Sequence, residues 1–158
     1  MANPSPGARI RTLWNRLQHL PFGTWLFSRM VGVMVPYTGS IGAHVRELAP
    51  GQARVTLRDR RKVRNHLDCV HAVALVNLGE VTSGLAMMTA LPPGVRGIVT
   101  SLSIEYLKKA RGPLTARSTP SVPAVSSTVE TVVVADIADA SGDVVARTHV
   151  TWRLSPPA

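Results

Sequence analysis

A single carboxylate stands in the most apolar part of this 158-residue chain. Glu80 is the only Asp, Glu, Lys or Arg between His71 and Arg96. Burial disfavours the charged form of a carboxyl group, so its pKa rises and it becomes a better general base near neutral pH. Glu80 is therefore a candidate catalytic residue. The structural alternative is a charge paired with an arginine or a helix dipole from a partner.

Two polar residues, Asn65 and His71, precede Glu80 by fifteen and nine positions. The segment from about Val70 to Ala90 is predicted to be a helix, because Ala, Leu and Met are frequent in it and "LPPG" follows it. The first turn of a helix has unpaired N–H groups and the positive end of the dipole, which stabilise an oxyanion. Asn65 and His71 are candidates to act there. The alternative for Asn65 is a residue that caps a turn, and the alternative for His71 is an N-terminal cap or a satisfied core histidine.

The spacing separates His71 from Glu80 within one helix. Nine residues at ~100° and ~1.5 Å each put the two side chains on roughly opposite sides of the helix and ~13 Å apart along it. One chain cannot easily present both to one substrate, whereas two chains packed helix to helix can. We therefore predict a homo-oligomer, a dimer or a dimer of dimers, with sites shared between subunits.

The remaining sequence predicts the elements around this helix. Residues 8–34 have the pattern of one or two amphipathic helices, "PYTGSIG" is predicted to be a loop, and "IGAHVREL" and "QARVTLRD" are predicted to be paired strands. Four segments rich in Val, Ile, Leu or Thr follow the long helix: "RGIVTSLSIEYLKKA", "GPLTARSTPSV", "STVETVVVADIAD" and "VVARTHVTWRLS".

This order predicts an α+β fold with a long central helix wrapped by a curved antiparallel sheet of about six strands. An N-terminal amphipathic extension, residues 1–34, precedes a main domain at residues 35–158. Gly79 and Gly84 each cost about 1 kcal/mol relative to Ala inside a helix, so we expect close packing at both.

The pattern N-x5-H-x8-E, with the lead-in "VPYTGSIGAHVREL" and the close "GDVVARTHVTWRL", resembles the hotdog-fold acyl-CoA thioesterases. The phenylacetate-pathway type and a related uncharacterised bacterial family are the most similar, over roughly residues 35–155. The resemblance implies hydrolysis of acyl-CoA thioesters. It implies Glu80 as general base or nucleophile, Asn65 as a contact to water or the carbonyl, and the amides of Ala72 and Val73 as oxyanion donors after His71.

The chain departs from this family at the helix start. The family usually has two glycines after its histidine, where this chain has Ala72 and Val73. Both residues keep their amides but add side chains where the substrate approaches. The departure favours an alternative function, a non-catalytic protein that binds acyl groups or acyl-CoA.

Further candidates follow from the resemblance and from basic and hydroxyl side chains. Residues expected at the coenzyme A phosphates are Lys108, Lys109, Arg111 and Arg64; solvated surface charges are the alternative. Hydroxyls expected in the acyl pocket are those of Ser83, Thr100 and Ser101, although an alternating strand produces such residues by default. Coenzyme A enters as part of the substrate, so no cofactor is expected. No His, Cys, Asp or Glu spacing predicts a metal site.

The composition limits the other function classes. A net charge of +9 favours an anionic partner, but aromatic residues make up only 4% of the chain and none is interleaved with a basic strand. We therefore expect no nucleic-acid partner, because a nucleic-acid-binding module would rest on charge alone. One cysteine, Cys69, precludes an internal disulfide and fits a cytoplasmic protein.

Two segments resemble membrane signals. The N-terminal apolar residues are interrupted too often for a signal peptide, and residues 72–91 are long enough to span a bilayer but contain Glu80. A carboxylate at the bilayer centre costs about 2–3 kcal/mol, so we expect no transmembrane segment. The apolar face of the N-terminal helices fits either a cover over the acyl channel or peripheral contact with a membrane.

Overall fold

The computed structural model describes residues 5–157, and it begins with helices. Helix α1 is Pro6–Leu17 and α2 is Gly23–Met34, as the periodicity predicts. A one-turn helix, α3, covers Pro36–Gly39. The loop predicted for "PYTGSIG" is therefore wrong in its first residues: Pro36 occupies the first helical turn, where its fixed φ fits and its missing N–H costs nothing.

One long helix and six strands make up the rest of the described chain. Helix α4 is Ala72–Ala90, and the strands are β1 His44–Ala49, β2 Gln52–Leu57, β3 Arg96–Tyr106, β4 Leu114–Ser118, β5 Val129–Ala138 and β6 Val144–Ser155. The strands form one antiparallel sheet in the order β1-β2-β4-β5-β6-β3. The predicted long helix and six-stranded antiparallel sheet are confirmed. Strand β3 lies at an edge of the sheet, paired only with β6.

Helix α4 packs closely on the sheet at one of its two inner glycines. A Cβ built on Gly79 would lie 2.3 Å from Thr148 Cγ2 on β6, so only Gly permits this approach. A Cβ on Gly84 would meet Glu80 Oε1 at 3.8 Å and Trp152 Cζ2 at 3.9 Å, which are ordinary contact distances. The prediction of close packing is therefore confirmed for Gly79, whereas within the described chain Gly84 has room for a methyl group.

The N-terminal helices share the hydrophobic core of the main domain. Trp14 on α1 and Phe27 on α2 are buried in the same cluster as Leu78 of α4. Their rings meet edge to face with centroids 5.0 Å apart. Gly7 lets α1 lie directly on the end of α4, because a Cβ there would be 1.9 Å from the Met88 carbonyl oxygen. Residues 1–4 of the predicted extension lie outside the described residues.

The burial of α4 explains its apolar composition. Its 19 residues are long and apolar enough to cross a membrane, but 72% of the apolar window lies inside the fold. Apart from its first and last residues, α4 is incompletely buried only at Val73, Val76, Glu80 and Met88. These four positions recur at helical spacing and therefore form one stripe along the helix. Glu80 lies near the middle of this open stripe.

Candidate active site

The Glu80 carboxylate is partly buried and has no polar partner in the described chain. None of the hydrogen bonds or ion pairs among residues 5–157 takes its carboxylate oxygens. Burial alone raises the pKa of Glu80. Within residues 5–157 no arginine pairs with it, so pairing with a group of a partner stays a prediction. An unpartnered carboxylate with a raised pKa is suited to accept a proton.

Gly84 and Trp152 lie beside this carboxylate. Gly84 is one turn further along α4, and a Cβ built on it would lie 3.8 Å from Glu80 Oε1 and 3.9 Å from Trp152 Cζ2. Gly84 itself is buried, whereas Glu80 is only partly buried.

The start of α4 has one open amide and one engaged amide. His71 caps the helix, and its Nδ1 accepts a hydrogen bond from the Val73 N–H at 3.1 Å. The Ala72 N–H has no acceptor among the described residues, while the Ala72 carbonyl accepts from the Tyr106 hydroxyl at 3.2 Å. The donor ready for an external oxygen is therefore the Ala72 N–H, and the imidazole would have to turn away to free Val73.

Asn65 is held in a turn that leaves its amino group open. Its Oδ1 accepts from the Leu67 N–H at 2.9 Å and from the Cys69 N–H at 3.4 Å. This is the geometry of an Asx turn, which fixes the side chain against its own loop. No hydrogen bond in the described chain uses Nδ2, so that group is available to a ligand. Cys69 is a buried free cysteine, and its Sγ donates to the same Asn65 Oδ1 at 3.4 Å.

Two of the predicted phosphate contacts flank this turn. Arg64 Nε binds Asp59 Oδ1 at 2.6 Å, and the same carboxylate accepts the Gly112 N–H at 2.8 Å. Arg111 reaches the turn itself, with Nη2 3.5 Å from the Leu67 carbonyl oxygen and Nε 3.4 Å from that of Asp68. The fold therefore brings Arg64 and Arg111 to the same loop as Asn65.

The two lysines of the basic cluster differ in their surroundings. Lys108 Nζ binds Asp139 at 2.9 Å and Asp143 at 2.7 Å in the turn between β5 and β6. These carboxylates raise the pKa of Lys108 and form ion pairs with its ammonium group. Lys109 is exposed and makes no ion pair within residues 5–157. Of the two, Lys109 is the lysine free to meet a phosphate.

A groove of about 240 Å³ lies at the start of α4. Arg64, His71 and Val73 line it, together with Lys62 and Tyr37. Glu80 does not line this groove, in keeping with the ~13 Å that nine helical residues span. One chain thus brings the helix start and basic side chains together but leaves the carboxylate elsewhere on the open stripe.

The predicted acyl-pocket hydroxyls lie in two places. Ser83 is buried in α4, where its Oγ donates to the Glu80 carbonyl oxygen at 3.0 Å. Thr100 and Ser101 are exposed on the edge strand β3, at an irregularity in its pairing with β6. Thr100 Oγ1 donates weakly to the Thr151 carbonyl oxygen at 3.4 Å. The Ser83 hydroxyl is thus engaged by its own helix. Residues 5–157 contain no cluster of three His, Cys, Asp or Glu side chains that would hold a metal.

One protein family matches most of this sequence. The family described as "Domain of unknown function (DUF4442)" matches residues 23–154. The chain belongs to the DUF4442 family. No curated protein matches the sequence.

Solved structures share the fold of this DUF4442 protein. The crystal structure of the genomics target APC5556 is 32% identical, with a TM-score of 0.81 over 94% of this chain and 99% of that one. A protein of unknown function from Pseudomonas aeruginosa, described as a probable thioesterase, is 20% identical, with a TM-score of 0.74 over 87% and 98%. A hypothetical thioesterase from Streptococcus pneumoniae, solved with coenzyme A, is 21% identical, with a TM-score of 0.61 over 73% and 91%. The fold is the hotdog fold.

Two residues of this DUF4442 chain join the candidate site only through tertiary structure. The ring of Trp152 lies near Glu80 and Gly84, and its buried Nε1–H has no acceptor in the described chain. Tyr106 holds the Ala72 carbonyl from the end of β3, and burial raises its pKa. In the sequence both occupy ordinary alternating strand positions, so no local signal identifies them.

Proposed function

We propose that this protein hydrolyses acyl-CoA thioesters, with Glu80 as the general base that activates water. The observation that carries the proposal is the Glu80 carboxylate, which is partly buried and unpartnered on the one open stripe of α4, with a pKa raised by burial. The likeness to proteins described as thioesterases, one of them solved with coenzyme A, supports the substrate class.

The reaction follows from the available groups. Glu80 takes a proton from water, and the water oxygen forms a bond to the thioester carbonyl carbon. The Ala72 N–H and the positive end of the α4 dipole stabilise the oxyanion, and Asn65 Nδ2 offers a second donor. Collapse of this intermediate breaks the carbon–sulfur bond. The thiolate then leaves with the proton that Glu80 held.

The proposed site takes its parts from two subunits. Within one chain the Ala72 amide and Glu80 are separated along α4, whereas a second copy facing the open stripe supplies the missing half. The edge strand β3 supports such pairing, because it is 11 residues long, largely exposed and hydrogen-bonded only to β6 within the described chain. Each site would then use Glu80 of one protomer and the helix start of its partner.

The basic side chains around the Asn65 turn fit the phosphates of coenzyme A. Arg111 flanks the turn and Lys109 makes no ion pair in the described chain, so these two offer positive groups for the phosphates. Arg64 also flanks the turn, but Asp59 already pairs with its guanidinium. Lys108 is the least suited of the predicted contacts, because two carboxylates already hold its ammonium group. Arginine suits a phosphate through its planar fork of donors.

Thiol release from a panel of acyl-CoAs tests the proposal. Glu80→Gln keeps the size of the side chain but removes the base, so we expect kcat to fall at least about 100-fold. Glu130→Gln is the matched control, because it makes the same change at an exposed glutamate of β5 and should keep full activity. Thiol release that Glu80→Gln leaves unchanged would exclude Glu80 as the base.

One observation favours a second candidate function, binding of acyl-CoA without hydrolysis. The Val73 N–H is engaged by His71, and Ala72 and Val73 carry side chains at the proposed oxyanion site. A binder would release no thiol from any acyl-CoA, yet would bind a coenzyme A thioester in calorimetry equally well with Glu80→Gln. Release of thiol by the unchanged chain decides against it.

A further inference from the structure

The outward face of α2 is apolar. Trp25, Leu26, Met30 and Val33 are exposed at helical spacing, and Val33 has 73% of its surface open to solvent. The opposite side of the same helix already provides its core contact through Phe27. A surface helix normally presents polar residues to solvent, so this second apolar side needs another explanation.

The apolar surface continues beyond both ends of the helix. We call it the α2 face; it comprises the outward residues of α2 and exposed neighbours at its ends, Leu20, Phe22, Met34, Val35 and Tyr37. Phe22 is 84% exposed and sits at the tight connection between α1 and α2, with a positive φ of 58°. An aromatic side chain at the tip of a turn, followed by an exposed tryptophan, is typical of a surface that enters a lipid headgroup region.

The N-terminal segment that carries this face has charges of one sign. Residues 5–46 contain five arginines and no Asp or Glu. One of them, Arg29, lies within the α2 face itself and is exposed. An arginine can keep its guanidinium at the level of the headgroups while its aliphatic part stays among apolar side chains. The α2 face is therefore apolar and cationic.

A basic groove of about 620 Å³ adjoins the α2 face. It lies between α2 and the β1–β2 hairpin, and no acidic residue lines it. Its basic lining residues are Arg29, Arg46, Arg58, Arg60 and Lys62. Arg60 also donates to the Ile41 carbonyl oxygen at 2.8 Å, which holds its guanidinium at the groove. The groove concentrates positive charge where phosphate groups would meet the protein if the α2 face touched a bilayer.

We propose that the α2 face docks on the surface of an anionic phospholipid bilayer. The apolar side chains enter the boundary between headgroups and acyl chains, and the groove arginines contact lipid phosphates. A second copy of the chain fits this surface less well, because a symmetric contact would bring two arginine-bearing, acid-free surfaces together. The proposal does not depend on thioester hydrolysis.

Sedimentation with vesicles tests the docking of the full chain. We expect it to pellet with vesicles of equal parts phosphatidylcholine and phosphatidylglycerol, at least about tenfold more than with phosphatidylcholine alone. Salt raised from about 0.1 M to about 1 M should weaken binding, since the screening length falls from about 10 Å to about 3 Å. Trp25 is exposed, whereas Trp14 and Trp152 are buried, so entry of Trp25 into the bilayer should shift the fluorescence to the blue.

Matched substitutions distinguish docking by the α2 face from unspecific adsorption of the protein to vesicles. Val33→Ser should lower the partition coefficient roughly fivefold, whereas Val132→Ser, at a 56% exposed valine of β5, should not change it. Arg29→Gln should also lower the partition coefficient roughly fivefold. Arg117→Gln, at an exposed arginine of β4, should lower it less. Far-UV circular dichroism and melting temperature confirm that each variant folds.

Two results would overturn the proposal. One is binding to the anionic vesicles that Val33→Ser and Val132→Ser reduce equally, which would mean unspecific adsorption of a basic protein. The other is no binding at low salt together with a molecular mass, measured by light scattering, that falls on Val33→Ser. That outcome would assign the α2 face to contact between copies of the chain.

Discussion

At the scale of single residues, the burial of Glu80 disfavours the charged form of its carboxyl group. Burial raises its pKa, so the folded state holds the proton more tightly than the unfolded chain does. The free energy of unfolding therefore falls as pH rises from the unfolded pKa through the raised folded pKa, and the loss persists at neutral pH. An ionised Glu80 therefore lowers the free energy of unfolding. A role of the carboxylate in the proposed reaction would explain why the chain carries it.

Glu80→Gln should therefore stabilise the folded chain at neutral pH. Without an ionisable group the desolvation cost disappears, and we expect the melting temperature to rise, by roughly 2–4 °C for each kcal/mol of that cost in a domain of this size. The difference should close as pH falls well below about 4.3, the ordinary pKa of Glu, because Glu80 is then protonated in both states. Calorimetry of both chains across this pH range measures it. A lower melting temperature for Glu80→Gln at neutral pH would mean that the carboxylate makes a stabilising pair.

The sequence identified the candidate residues, but it did not show which of their donor and acceptor atoms are free to bind a ligand. That Glu80 is the isolated acid of an apolar segment could be seen from composition alone. Whether Asn65 offers Oδ1 or Nδ2, and which amide His71 leaves open, depends on hydrogen bonds within the turn and at the cap. The pairing of Lys108 with Asp139 also joins residues that are distant in the chain.

At the scale of elements, the two inner glycines of α4 have different roles. Gly79→Ala should destabilise the fold by about 1–3 kcal/mol, because the new methyl group overlaps Thr148 and overpacking outweighs the gain in helix propensity. Gly84→Ala has room at ordinary contact distance, so it should stabilise the fold by about 0.5–1 kcal/mol. Urea unfolding of the two variants measures both. Equal effects of the same sign would contradict the packing observed at Gly79.

The elements themselves follow closely from local patterns. Helical spacing and the breaks at Pro21 and "LPPG" place α2 and α4, and alternation places the six strands. The short helix α3 was missed, since its "PYTG" sequence is equally suited to a turn. Gly79 and Gly84 look alike in the sequence; only the position of β6 behind the helix separates them.

At the scale of the whole molecule, the proposed site predicts complementation between two inactive chains. Glu80→Ala lacks the base and His71→Ala disturbs the helix start, so each homodimer should be inactive. Mixed subunits should recover one intact site per heterodimer, about half of the sites formed by unmodified subunits. Co-expression with two purification tags isolates the heterodimer for the thiol-release assay. If the heterodimer is inactive although each chain folds, the shared site is wrong.

The oligomer itself provides an independent measure. Light scattering should give at least twice the chain mass of 16.9 kDa. A monomer that retains full activity at high dilution would require Glu80 and the helix start of one chain to meet, contrary to their separation along α4.

The amino-acid sequence by itself determined the helix and strand segments, the apolar character of α4 and the isolation of Glu80, because each depends on local periodicity and residue type. Only the tertiary structure decided the strand order, the position of β3 at a sheet edge, the union of α1 and α2 with the core, and the outward apolar side of α2. These depend on contacts between residues far apart in the chain. Hydrophobic patterning states that a side chain prefers burial but does not state which surface buries it.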